Sequence, residues 1–148
     1  GFPVQTWSIW VFCRANERTV ILTTYGAAIT QGAMKIELFT GINPRGEVRD
    51  SSNTTRTATS STTNMSLNAW HMITVISTGT SIQIHVDDGT ANGTSATVNN
   101  VAGSAQEMVI GFDVRSATKY LDGRVSKVRV WDRVLTQQEI EALHLEGA

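Results

Sequence analysis

The stretch Tyr120–Leu143, YLDGRVSKVRVWDRVLTQQEIEAL, decides the fold. It opens on Asp122-Gly123, a pair that suits a tight turn. The residues after it alternate, with Ser126, Val128 and Val130 on one side and Val125, Lys127, Arg129 and Trp131 on the other. A period of two marks a strand. Leu135-Thr136-Gln137-Gln138-Glu139-Ile140 then reads as a helix start. Thr136 and Glu139 have the spacing of a capping box, and Leu135 and Ile140 sit at the staple positions around it. Ile140 and Leu143 share a helix face. The pattern predicts a helix confined to about residues 136–144, pinned by its apolar side. Trp131, Leu135 and Ile140 read as packing residues of this clasp.

The rest of the chain is written in short strands. WSIWVFCR places Trp7, Ile9, Val11 and Cys13 on one face and Ser8, Trp10, Phe12 and Arg14 on the other. Both faces are largely apolar, which suits a central strand covered on two sides. TVILTTY follows the turn-like ANER, and AMKIELFT sets Met34, Ile36 and Leu38 against Lys35, Glu37 and Phe39. GINPRGE reads as a turn. WHMITVIS and SIQIHV read as strands joined by TGT, DDGTANG as a tight connection, and EMVIGF as a buried strand. The Thr-rich segment DSSNTTRTATSSTTNMS has little apolar anchoring and is read as one or two exposed strands. Short strands with turn signals every eight to twelve residues indicate an all-β sandwich or barrel.

Composition narrows the function. The chain has 148 residues, 41% of them hydrophobic and 17% charged, enough for a real core. A net charge of -1 without a basic block argues against nucleic-acid binding. No apolar run reaches the roughly 20 residues of a membrane span, so no membrane insertion is expected. Cys13, the one cysteine, cannot form an internal disulfide and reads as a buried, inert thiol.

Trp10, Trp70-His71, Val86-Asp87-Asp88-Gly89, Ile110-Gly111, Gly123, Trp131-Asp132-Arg133, Leu135 and Glu139-Ile140 fall in an order that covers most of the chain. In that order the chain resembles the LamG-like jelly rolls of the concanavalin A-like superfamily, to which the pentraxins also belong. The resemblance implies an antiparallel β-sandwich with one short C-terminal helix, here one domain over residues 1–148, either by itself or within a longer chain. It says little about function, since the superfamily holds lectins, glycosidases, adhesion modules and structural domains. The segments before Trp7 and after the helix are short for the family's flanking strands, so open sheet edges are expected, covered by another chain or another part of the protein.

Candidate sites follow from chemistry. A pentraxin-type double calcium site needs acids that ITQGAMK and GFDVRSATK do not supply. A single laminin-G-type Ca2+ would use Asp113 with backbone carbonyls and Asp50, and Arg115 adds positive charge beside it. Glycoside hydrolysis needs two carboxylates flanking a cleft, and the Glu-x-Asp-x-x-Glu run of the concanavalin-like glucanases is missing. The histidines, His71, His85 and His144, are dispersed, and His71 reads as a strand residue. No enzyme is therefore expected. For carbohydrate, Tyr25, Phe39 and Tyr120 are the aromatics least committed to a core, and Trp10 with Phe12 could line a concave sheet. Sequons stand at Asn53, Asn64 and Asn92 and carry weight only in a secreted eukaryotic protein.

These readings converge on an extracellular, cell-surface or virion-surface module. The first alternative is non-catalytic recognition of a glycan or protein surface. The second is a structural jelly-roll subunit or decoration domain within an assembly, including a homo-oligomer. A glycosidase comes third.

Overall fold

The structure, a computed structural model, describes residues 4–24, 32–60, 65–91, 93–96, 107–113, 115 and 119–148. Ten strands and one helix occur among them: β1 Gln5–Cys13, β2 Thr19–Thr23, β3 Met34–Thr40, β4 Asn43–Arg49, β5 Thr55–Thr59, β6 Trp70–Ser77, β7 Ser81–Val86, β8 Gly93–Ala96, β9 Val109–Ile110, β10 Gly123–Trp131 and α1 Gln137–Leu145. Two five-stranded sheets form, sheet I in the order β10-β1-β6-β7-β8 and sheet II in the order β5-β4-β3-β2-β9. Every pairing is antiparallel. This is the LamG-like, concanavalin A-like sandwich that the closing stretch predicts.

Inward-facing residues of both sheets make the main core, among them Ile9, Ile36, Ile73 and Ile84, each with no exposed surface. Gly46 lets the sheets meet: a Cβ there would lie 2.8 Å from Val75 Cγ1. That contact is too close for any other residue without movement. GINPRGE is thus not a turn. The turn lies at residues 41–42 and the rest is β4, paired on both sides. Pro44 is tolerated there because it enters the strand beside the register shift between Leu38 and Thr40.

A second apolar cluster lies on the opposite face of sheet I. Trp10, Met72 and Ile76 are covered by Leu135 and Ile140, with Trp70, Trp131 and Leu143 at the margin. The helix is locked as its sequence predicts. Thr136 Oγ1 accepts the Glu139 N–H, and the Glu139 carboxylate accepts the Thr136 N–H at 2.8 Å. Arg133 beside Glu139, together with the Thr136 cap, draws that carboxyl down to about 2. Burial of Ile140 alone is worth about 1.5–3 kcal/mol.

Two sequence expectations change. The alternation in β10 breaks at Lys127, whose φ of 47° inserts a bulge into the pairing with β1. Val125 and Val128 therefore both pack on the main core, while Lys127 donates to the carbonyls of Glu146 and Gly147. EMVIGF, read as a buried strand, supplies only the short edge strand β9, with Ile110 44% exposed. The described residues of the Thr-rich segment hold one strand, β5. Cys13 is buried, and burial pushes its thiol up to about 11, so it stays protonated.

Candidate functional site

The expected contact aromatics fare differently. Trp10 does not line an open sheet face: it is only 5% exposed, lies under the helix and stacks on His144 with centroids 5.4 Å apart. The two-sided apolar pattern of its strand serves a core on one side and the clasp on the other. Phe39 carries the Arg45 guanidinium 3.6 Å and that of Arg18 4.9 Å from its ring centroid. Its ring is engaged by cations. Tyr25 lies outside the described residues.

Tyr120 is the exposed one, at 60%. It stacks on Phe112 with centroids 4.8 Å apart and an interplanar angle of 19°, and the same two residues form a β-bridge. The pair is a short, rigid aromatic shelf beyond the edge strand β9. Met108 and Ile110, both more than two-fifths exposed, extend it along the chain. Asp113 adjoins the shelf, its N–H donating to the Lys119 carbonyl at 3.2 Å. The carboxylate of Asp113 takes Arg115 Nε at 3.1 Å and Nη2 at 3.3 Å. Burial raises the Asp113 pKa, but Arg115 and the charge of Lys35 together hold it below the usual range.

The outer face of sheet II leads away from this shelf. Lys35, Glu37 and Glu47 sit on it yet are almost wholly buried. Lys35 Nζ bridges Glu37 at 3.0 Å and Glu47 at 3.2 Å, and Arg45 pairs with both carboxylates as well. Arg18 adds a weaker contact to Glu37 at 3.7 Å. The charges close on one another, so this face is an ionic seal and not an open carbohydrate groove.

The candidate calcium ligands do not fit an ion shell as placed. Asp50 has no exposed surface; its Oδ1 accepts the N–H groups of Ser52 and Thr54 and its Oδ2 takes Arg56 Nε at 2.8 Å. Burial raises its pKa, and these donors more than offset that. Each aspartate is thus committed to an arginine. Among the described residues no group of three or more His, Cys, Asp and Glu side chains is placed to hold a metal. Sequence reasoning also missed one convergence. His71 Nδ1 lies 2.8 Å from Asp87 Oδ2, and His144 Nε2 lies 3.7 Å from Asp87 Oδ1. Only the Trp-His strand start and the Asp-Asp-Gly turn, 16 residues on, hinted at that meeting. Asn53 is exposed in a turn, whereas Asn64 and Asn92 lie outside the described residues.

A sandwich of two antiparallel sheets, closed by a capped helix after a Trp-Asp-Arg corner, defines a LamG-like domain. A family profile described as the concanavalin A-like lectin/glucanases superfamily, a laminin G type, matches residues 4–141, and the chain belongs to it. Solved structures similar to the chain include mouse laminin alpha1 domains LG4-5, at 17% identity and a TM-score of 0.68, covering 86% of this chain and 34% of that one. The receptor binding domain of botulinum neurotoxin D is similar at 9% identity and a TM-score of 0.66, over 97% of this chain and 37% of that one. A heptameric SAP-like pentraxin from Limulus polyphemus is similar at 11% identity and a TM-score of 0.61, over 97% and 70%. The chain thus spans about a third of the length of the laminin and toxin chains. A search of curated proteins finds no match. No helix among the described residues is long and apolar enough to cross a membrane.

Proposed function

We propose that this domain is an extracellular recognition module that contacts a carbohydrate through the Tyr120–Phe112 shelf. The observation that carries the reading is a stacked aromatic pair whose outer ring is 60% exposed. An aromatic face held rigid by a second ring stacks on the C–H face of a sugar at low entropic cost. The exposed Arg115 beside it, oriented by its pair with buried Asp113, supplies donors for hydroxyls, and Ile110 and Met108 give an apolar rim. Among the described residues the lining has no pair of facing carboxylates of the kind glycoside hydrolysis uses, which favours binding. Similarity to the receptor binding domain of a neurotoxin fits such a role.

One observation favours assembly as a second reading. Ile110 is paired with core Leu22, and Val130 with core Trp7, so both point into the sandwich. Both are nevertheless more than two-fifths exposed, which leaves a margin that another chain would cover. Tyr120→Ala decides between the readings when glycan-array binding and light-scattering mass are measured on the same sample. Loss of glycan signal with unchanged mass supports recognition. No glycan signal from the native chain, together with an oligomer that Val130→Asp dissolves, replaces it with assembly.

A further inference from the structure

We propose that Ser66 is a histidine-activated nucleophile that accepts an acyl group from small carboxylic esters. The site uses none of the shelf residues and does not depend on the recognition reading. Ser66 is exposed, and its Oγ is 3.1 Å from His71 Nε2. On the other side of the ring, His71 Nδ1 is 2.8 Å from Asp87 Oδ2. The order of atoms is nucleophile, base and orienting carboxylate, which is how a serine is made reactive.

The electrostatics assign the proton. Burial raises the Asp87 pKa, but His71, the Met72 N–H at 2.9 Å and the charge of His144 hold it below the usual range. Asp87 is therefore a carboxylate near neutral pH and can only accept. Nδ1 of His71 must carry the hydrogen, and Nε2 is left with its lone pair facing Ser66. The Ser66 N–H also donates to Nε2, at 3.0 Å. Left-handed backbone at Asp87, φ 56°, and at Asn68, φ 60°, shapes the two turns that bring the groups together. The Asn68 N–H anchors its turn to the Cys13 carbonyl at 2.8 Å.

The step balances without a cofactor. Ser66 Oγ bonds to the ester carbonyl carbon while its proton passes to His71 Nε2. The tetrahedral centre expels the alkoxide, which takes that proton and leaves as the alcohol. Water then attacks acyl-Ser66 and gives its proton to Nε2; the tetrahedral centre collapses with cleavage of the bond to Ser66 Oγ, which takes that proton back as the acid departs. When Nε2 is protonated it no longer accepts the Ser66 N–H. That N–H is freed at the moment an oxyanion forms, and a nucleophile's own N–H is one member of an oxyanion hole. A single such donor implies slow turnover and an acyl-serine that accumulates.

The test uses the whole chain with p-nitrophenyl acetate and diisopropyl fluorophosphate as probes, read by peptide mapping and by release of nitrophenol. The expected result is a single adduct on Ser66 with either probe. Nitrophenol should appear in a burst about a hundred-fold faster than from Ser66→Ala, the lower end of what a positioned general base supplies. Asp87→Asn should slow the burst at least about tenfold with an unchanged circular dichroism spectrum, because the amide no longer fixes the tautomer. Should that variant unfold, the native adduct map alone decides. No adduct on Ser66, or labelling spread equally over exposed serines such as Ser52, overturns the proposal.

Discussion

The outer faces of the two sheets are both sealed, by opposite means. On sheet I the helix lays Ile140, and the turn before it Leu135, over Trp10 and Met72. On sheet II, Lys35, Glu37, Arg45 and Glu47 close on one another. The apolar seal needs only complementary surfaces and tolerates small shifts. The ionic seal takes charges out of water and recovers that cost only while every partner is in place. The same burial is therefore robust on one side and brittle on the other.

The largest expected effect is on the brittle side. Glu37 is 2% exposed and meets Lys35 and Arg45 directly. Glu37→Ala leaves a buried ammonium and a guanidinium short of a partner and should cost about 3–5 kcal/mol by urea unfolding. Replacing Lys35 and Glu37 together by Met and Leu should recover most of that loss. If the double variant is as unstable as the single one, the network is not a closed ionic seal.

The helix side should respond in two graded steps. Ile140→Ala empties a fully buried site and should cost about 2–5 kcal/mol. Thr136→Ala removes only the cap and should cost about 0.5–2 kcal/mol. Equal losses in the two variants would mean that the helix is held by its cap and not by its apolar face.

The two seals also differ in how far the sequence discloses them. The clasp is local: a capping box and a staple within a few residues, followed by an apolar helix face. It can be read directly because every cue lies in one turn of chain. The ionic seal is spread over β3 and β4, and alternation in AMKIELFT marks Lys35 and Glu37 only as outward-facing. Outward ordinarily means wet, and nothing in the spacing announces that these charges are covered. The bulge at Lys127 was equally hidden, since an inserted residue looks like ordinary alternation until the partner strand is known. Of the site residues, Tyr120 was legible as an uncommitted aromatic. Its partner Phe112 and the meeting of Ser66, His71 and Asp87 depend on contacts between separate strands and turns.

The smallest effect concerns a histidine on the helix-covered sheet. His85 is paired with Thr74 on the outer face of sheet I and is 5% exposed. Its Nδ1 donates to the Gly89 carbonyl at 3.1 Å, so in the neutral ring Nε2 carries the lone pair. That Nε2 is buried without a hydrogen-bond partner. Protonating it would bury a charge and an unpaired N–H at once. Burial accordingly draws its pKa below the usual 6.5, with the Gly89 contact pulling weakly the other way. The unfolded chain takes up this proton near 6.5 while the folded chain resists it. His85 therefore contributes stability above pH 6.5 that is lost as the pH falls, at no more than about 1.4 kcal/mol per pH unit. Asp87 and Asp50, with lowered pKa values, add losses of the same sign at more acid pH. Urea unfolding at pH 7.5 and 5.5 should show the native chain weaker at the lower pH. His85→Gln should show a smaller difference between the two. An unchanged difference would mean that the acid sensitivity comes from groups other than His85.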